Sequence, residues 1–187
     1  MSHAPLRTAR LELLPITLPM VEAVFRGDRA AAEAIGDARL PEAWPGRALI
    51  ERAFVGSIEE IRRAPETRLW GDRVMVTLHD RRVVGSVVFH GAPDSEGVVE
   101  IAYGVEMGSQ RLGFATEGVR AAVEWALQQR AVRAVRATTA PWHAASIRVL
   151  EKTGFHQIGT RDHELLGELV GFECPVVRDA PSARLGT

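Results

Sequence analysis

Apolar and polar positions along the chain sort into stretches of helical and of extended periodicity. Leu11, Leu13 and Ile16 accompany a short extended run from Arg10 to Pro15, which predicts a first strand. Thr17-Leu18-Pro19 then opens a helix, because proline lacks only an N–H that the first turn does not use. A second helix is predicted over Arg29 to Ile35, and Leu40 to Pro45 reads as an ordered loop with two prolines and Trp44. Ala48 to Arg63 carries helical periodicity, with Leu49, Ala53, Ile58 and Ile61 as core contributors.

From Trp70 the character turns to β. Val74 to Leu78 and Val83 to Phe89 read as strands joined by a polar hairpin turn, His79-Asp80-Arg81-Arg82. Gly91 to Gly97 forms a longer turn into a strand from Val98 to Val105. Val119, Val123, Ala126 and Leu127 then recur at helical spacing and mark one apolar face of a helix from Ala115 to Gln129. A strand over Ala134 to Thr139 precedes a helix from Ala144 to Thr153, with Gly154 at its C-terminus. Phe155 to Gly159 and Leu165 to Val177 supply the last strands, and the polar tail from Arg178 is expected to be mobile. An α-rich first third, a β-meander and then alternating helix and strand predict one mixed α/β domain over residues 6–177.

Composition narrows the function classes more than the fold. Lys and Arg number 23 against 24 Asp and Glu, so no overall field favours nucleic acid or an anionic membrane. No apolar run approaches the ~20 residues that cross a bilayer, and the first residues lack the apolar stretch of a secretory signal. Cys174 is the one cysteine, so no intrachain disulfide can form and a cytoplasmic location is expected. It has no acid–base partner nearby in sequence and reads as a packed core residue.

Neither a G-x-x-x-x-G-K-[ST] loop nor a G-x-G-x-x-G turn after a strand occurs, which argues against the commonest nucleotide folds. The histidines are scattered, none at metal-ligand spacing from a second ligand, so no metal is expected. The stretch that stands out is Gln110-Arg111-Leu112-Gly113-Phe114-Ala115-Thr116-Glu117, between a strand and an amphipathic helix. Free N–H groups and the positive end of the helix dipole converge at such a place, and small residues admit an anion close to the backbone.

Four further local patterns give that loop its meaning. Gln110-x-x-Gly113-x-Ala115 resembles the pyrophosphate-binding Q/R-x-x-G-x-G/A motif of the Gcn5-related N-acetyltransferases, the GNAT superfamily. Leu6-Arg7-Thr8-Ala9-Arg10-Leu11-Glu12-Leu13-Leu14-Pro15 is similar to the opening L-x-T-x-R-L-x-L-x-P of its RimJ/RimL ribosomal-protein branch. Val99-Glu100-Ile101-Ala102-Tyr103 looks like that branch's V-E-I-G-Y strand, and Phe114-Ala115-Thr116-Glu117 like its F/Y-A-T-E. Ala145-Ser146-Ile147-Arg148-Val149-Leu150-Glu151-Lys152-Thr153-Gly154-Phe155 resembles A-S-I-R-V-L-E-K-x-G-F. Together these span the chain from Leu6 to Phe155 in one order.

The resemblance implies a mostly antiparallel mixed sheet with splayed central strands, flanked by helices. It implies acetyl-CoA as cosubstrate, bound by Gln110, Arg111, Leu112, Gly113, Phe114, Ala115 and Thr116, with the pyrophosphate on the N–H groups from about Arg111 to Thr116. The thioester arm would lie in the splay beside Tyr103 and Val105, with the Val105 N–H as oxyanion donor. Glu100 is the expected base, acting through a water, and Glu106 a solvated alternative. Many relatives protonate the thiolate with a tyrosine where Leu150 stands here, so Ser146 is expected to donate instead. His143 occupies a position where the branch has a cofactor-contacting asparagine, and a turn residue without ligand contact is the other reading. Ala102 replaces the usual glycine and would narrow the groove.

The expected reaction is direct transfer of acetyl to a primary amine of a protein N-terminus or small molecule, since no motif-linked cysteine offers an acyl-enzyme route. A CoA-binding sensor module with little catalysis is the alternative, and a longer acyl donor a third. The acceptor is expected between the N-terminal helices, the Leu40 to Pro45 loop and the strands near Glu168 to Cys174. The sequence leaves open whether two copies form a homodimer.

Overall fold

The computed structural model describes residues 4–42, 58–164 and 167–176. Eight strands form one sheet: β1 (Leu6–Arg7), β2 (Leu11–Pro15), β3 (Arg73–Thr77), β4 (Val83–Phe89), β5 (Val98–Val105), β6 (Ala134–Thr139), β7 (His156–His163) and β8 (Gly167–Pro175). Their spatial order is β1-β2-β3-β4-β5-β6-β8-β7. Every neighbouring pair is antiparallel except β5 and β6. The mostly antiparallel mixed sheet flanked by helices is the expected architecture.

Among the described residues six α-helices accompany it: α1 (Leu18–Phe25), α2 (Arg29–Gly36), α3 (Ile58–Arg63), α4 (Pro65–Arg68), α5 (Phe114–Leu127) and α6 (Ala144–Lys152). The apolar face of α5 buries Val119, Ala122, Val123 and Ala126 against Leu11, Leu13, Met75 and Val84 of the sheet. On the other face, Val74, Val76 and Val83 pack with Met20 of α1 and Ala38. β3 is therefore covered on both sides, which is why it reads as a continuous apolar run rather than an alternating one.

Several expected boundaries move. The α5 helix starts one residue earlier, at Phe114, and ends at Leu127 rather than Gln129. The predicted strand over Phe155 to Gly159 is an eight-residue strand, His156–His163, whose residues are all exposed. An edge strand without a buried face carries no hydrophobic alternation, so its length was not visible in the pattern. The helix expected over Ala48 to Arg63 is described from Ile58 onward. The earlier part, with Leu49 and Ala53, lies outside the described residues, as do Ala43 to Pro45 of the expected loop and the tail from Arg178. Among the described residues no helix is long and apolar enough to cross a membrane.

Candidate active site

The site is organised by a fork in the sheet. β5 registers with β6 only over Val98, Val99 and Glu100, and beyond Glu100 the two strands part. Glu100 accepts from the His90 N–H at 2.9 Å and the Glu106 N–H donates to Val84 at 2.9 Å. Even-numbered residues of β5 thus turn their main-chain groups toward β4, and alternation turns those of Tyr103 and Val105 toward the opening. The Val105 carbonyl accepts from the Gln110 side-chain amide at 3.2 Å, leaving its N–H for a guest.

Glycine is required where β4 and β5 close behind the fork. A Cβ on Gly85 would lie 2.2 Å from the Gly104 carbonyl oxygen, so no other residue fits without moving the strand.

The loop at the open end is shaped by two left-handed residues, Arg111 (φ 63°) and Gly113 (φ 85°), the second being the N-cap of α5. The first-turn amides of Phe114, Ala115 and Thr116 are orphans of the helix start, as a bound pyrophosphate needs. Beneath them runs a clamp that the sequence reading did not single out. Glu117 accepts from Thr8 Oγ1 at 2.6 Å, from the Arg10 N–H at 2.8 Å and from Arg10 Nε at 2.7 Å. Arg10 also donates to the Leu112 carbonyl at 2.8 Å and lies over the Phe114 ring. Burial raises the Glu117 pKa, but the donors from Thr8 and Arg10 outweigh it and hold the carboxyl below its ordinary value. The signal was present: the threonine and arginine of the opening motif and the glutamate of the loop motif are the partners.

Side chains alternate across β5, so the two faces of the fork carry different chemistry. On the face covered by α5 and α6, the Tyr103 hydroxyl lies 2.8 Å from Ser146 Oγ and donates to the Ser146 carbonyl at 3.0 Å. Ser146 Oγ therefore meets a side chain from the facing strand. Burial raises the Tyr103 pKa, so the phenol keeps its proton at neutral pH. Leu150 is 1% exposed within the core. His143 stands at the N-cap of α6 without capping it; its Nδ1 is 3.5 Å from Thr139 Oγ1 and its ring lies beside the exposed Trp142.

Glu100 projects from the opposite face. Its Oε1 accepts from Thr138 Oγ1 at 3.0 Å, and its Oε2 is 3.7 Å from His90 Nδ1. The contact with His90, against the opposing effect of burial, lowers the carboxyl pKa, with Thr138 adding to it. Both residues line an open cavity of about 470 Å³ that also includes Asp94, Arg136, Thr138, Ile158 and Arg161. His90 was not among the residues expected in the site. It lies in the turn between β4 and β5, ten positions from its partner, and no local motif points to it.

Glu106 is not solvated as expected. Its carboxylate accepts from Ser109 Oγ and the Gly108 N–H and pairs with Arg82 Nη1 at 3.3 Å, which makes it the brace of the Met107–Ser109 turn.

A sheet forked beside its parallel strand pair, with free helix-start amides at the open end and a carboxylate beside an imidazole on the far face, has a layout suited to an acyl-group transferase. Residues 10–156 match the acetyltransferase (GNAT) domain, and the chain belongs to that family. GNAT enzymes take their acetyl group from acetyl-CoA. An uncharacterized N-acetyltransferase, YjdG of Bacillus subtilis, is 28% identical over 150 residues, covering 80% of this chain and 88% of its own length. RimL, a ribosomal alpha-N-protein acetyltransferase solved with coenzyme A, superposes with a TM-score of 0.65 at 13% identity, over 94% of this chain and 100% of that one. A chimera of the spermidine N-acetyltransferase SpeG from Vibrio cholerae and hSSAT does so with a TM-score of 0.63 at 12% identity, over 90% and 96%. At such identities the two structures attest the fold alone, and the RimL match agrees at that level with the RimJ/RimL resemblance.

Proposed function

We propose that this acetyltransferase passes the acetyl group of acetyl-CoA directly to a primary amine, of a peptide N-terminus or a small molecule, within one domain over residues 6–177. The single observation that carries the reading is the fork opening at Glu100, with the Tyr103–Ser146 hydroxyl pair on one face and the Glu100 cavity on the other. The pyrophosphate rests on the amides of Arg111 to Thr116. The arm pairs with Tyr103 and Val105 as an added strand, and the Val105 N–H stabilises the oxyanion. The Ser146 hydroxyl donates to the departing thiolate, and Glu100 serves the amine side as base. A cytoplasmic, reducing setting suits the lone half-buried Cys174.

The acceptor half of this reading differs from the sequence expectation. The cavity at Glu100 is bounded by the β4–β5 turn, β5, β6 and β7, with Gly171 its one contribution from the Glu168 to Cys174 segment, and not by α1 and α2.

Acetyl-CoA at saturating concentration should raise the melting temperature, because a ligand bound to the folded state alone stabilises it. Free-thiol release in a screen of peptides and small amines should then identify an acceptor, and Glu100→Gln and Ser146→Ala should each slow its turnover by about 100-fold. No thermal shift would sink the reading. The packing of Leu150 in the thiolate donor's place favours a second reading, a CoA-binding module without catalysis. A thermal shift without turnover of any amine would select it.

A further inference from the structure

We propose that His90 and Glu100 act as one unit, in which Nε2 of His90 receives the proton the acceptor gives up and the Glu100 carboxylate holds the ring at Nδ1. The proposal rests on the acetyltransferase reading and moves the proton's destination from a water-relayed carboxylate to an imidazole.

Geometry binds the two residues twice. The His90 N–H donates to the Glu100 carbonyl at 2.9 Å across the β4–β5 ladder, and His90 Nδ1 stands 3.7 Å from Glu100 Oε2. The first contact fixes the backbone of His90 against the fork. The second turns the far ring nitrogen away from the carboxylate, and both side chains border the same cavity. At 3.7 Å the side-chain contact is an ion-pair approach longer than a hydrogen bond, of the kind that commonly tightens once substrate is bound. A carboxylate on Nδ1 also selects the tautomer whose lone pair is on Nε2.

Chemistry assigns the roles within the pair. The Glu100 carboxylate already faces Thr138 on one oxygen and His90 on the other, and both contacts weaken it as a base. Proton transfer is most effective when the base titrates near the working pH, which a carboxylate below its ordinary range does not and an imidazole does. Glu100 raises the His90 pKa above 6.5, against the opposing effect of burial. The other groups facing the ring are accounted for. Asp72, ahead of β3, is buried, which pushes its pKa up to about 8, and its carboxylate form favours the imidazolium less strongly than Glu100 does. Arg68 of α4 disfavours the imidazolium but more weakly than Glu100 favours it. Asp94 lies in the same turn, Arg161 stands on β7, and Arg136 on β6 is paired with Glu173 at 2.7 Å.

The step balances as follows. The acceptor ammonium loses one proton to Nε2 of His90, and its freed lone pair forms the N–C bond to the thioester carbonyl. The C–S bond breaks, the nitrogen gives up a second proton, and the thiolate takes one through the Ser146 hydroxyl. His90, with more than half its side chain exposed, returns its proton to water. The products are an amide, free CoA and one proton.

Two measurements on the full chain test this. Long-range proton–nitrogen NMR of the unliganded protein, with the His90 signal assigned from its loss in His90→Gln, should show the Nδ1-protonated neutral tautomer. The titration of His90 should lie above 6.5 and fall in Glu100→Gln. The Nε2-protonated tautomer, or a titration indifferent to Glu100→Gln, overturns the pair whatever the enzyme does. The second measurement is kcat/KM against pH with acetyl-CoA and three probes: spermidine, glycinamide and an alanine-terminated peptide. His90→Gln should lower kcat/KM by about 100-fold at neutral pH and abolish the ascending limb, with acetyl-CoA affinity unchanged. An ascending limb that survives in His90→Gln overturns the assignment. Failure of all three amines to react counts against the acetyltransferase reading, and the NMR result then decides the pair by itself.

Discussion

On the proposed reading, the donor and acceptor faces of the fork are built from different materials. The donor face is chiefly main chain: amides of Val105 and of the Phe114 to Thr116 turn, positioned by strand divergence and by positive φ at Arg111 and Gly113. The acceptor face is side chain: His90, Asp94, Glu100, Thr138 and Arg161, drawn from the β4–β5 turn and from β5, β6 and β7. Backbone can be replaced in sequence only by residues that preserve its path, so a main-chain site leaves contiguous marks such as a glycine at a fixed offset. A side-chain site assembled across strands leaves no spacing to read. The fold can thus hold one donor constant while acceptors vary.

The largest effect is expected where the donor face depends on the close approach of β4 and β5. Gly85→Ala places a methyl group within 2.2 Å of the Gly104 oxygen, and backbone must yield because no flexible side chain is in the way. Overpacking of this kind costs about 1–3 kcal/mol, so thermal denaturation should show a clear fall in melting temperature. The displaced Gly104–Val105 segment should also weaken acetyl-CoA binding measured by calorimetry at low temperature. A destabilised protein with full acetyl-CoA affinity would break the comparison, since the donor face would then not depend on strand geometry.

The Glu117 clamp comes next. Glu117→Gln keeps the volume but loses the charge that Arg10 grips. Because Arg10 is about half exposed, the stability loss should be near 1 kcal/mol rather than the value of a buried pair. Acetyl-CoA affinity should fall several-fold as the Leu112 to Phe114 turn loosens. The pH dependence has a definite sign. The folded carboxyl titrates below its unfolded value near 4.5, so its contribution is complete above that pH and is lost as the pH falls through the folded value. The difference in melting temperature between wild type and variant should therefore be full at neutral pH and shrink in acid. A difference that grows in acid would mean that Glu117 does not hold the turn through its charge.

The same contrast explains what could be read in advance. β4, β5 and β6 have the expected bounds because each buries alternate or continuous apolar positions, and α6 was predicted to within its last residue. The loop from Gln110 to Glu117 stood out because helix capping and anion binding demand particular residues in a row. β7 was cut short because all of its residues are exposed, and the two-residue β1 carries too little pattern. Glu100 is preferred to Glu106 as base by its place in the strand, but the brace that Glu106 forms is not legible, since only the fold turns it toward Arg82 and Ser109 and turns Glu100 into the cavity. His90 escaped notice for the same physical reason: its role depends on a ladder pairing between residues ten apart.

The smallest and most selective effect belongs to Arg161, on the exposed edge strand across the cavity from Glu100. Its removal touches no core, so Arg161→Ala should leave stability within about 0.5 kcal/mol of wild type and acetyl-CoA affinity unchanged. Its positive charge acts on the acceptor instead, favouring anionic amines and opposing cationic ones across solvent. KM should fall a few-fold for a polyamine and rise a few-fold for an amine carrying a carboxylate. Both changes should fade as salt is raised, because an exposed charge acts through about a Debye length. The same charge contributes weakly to holding Glu100 ionised, so kcat should move less than KM. A variant that shifts acetyl-CoA affinity and leaves both acceptor KM values alone would reverse the division between the two faces, because a β7 side chain would then be serving the donor.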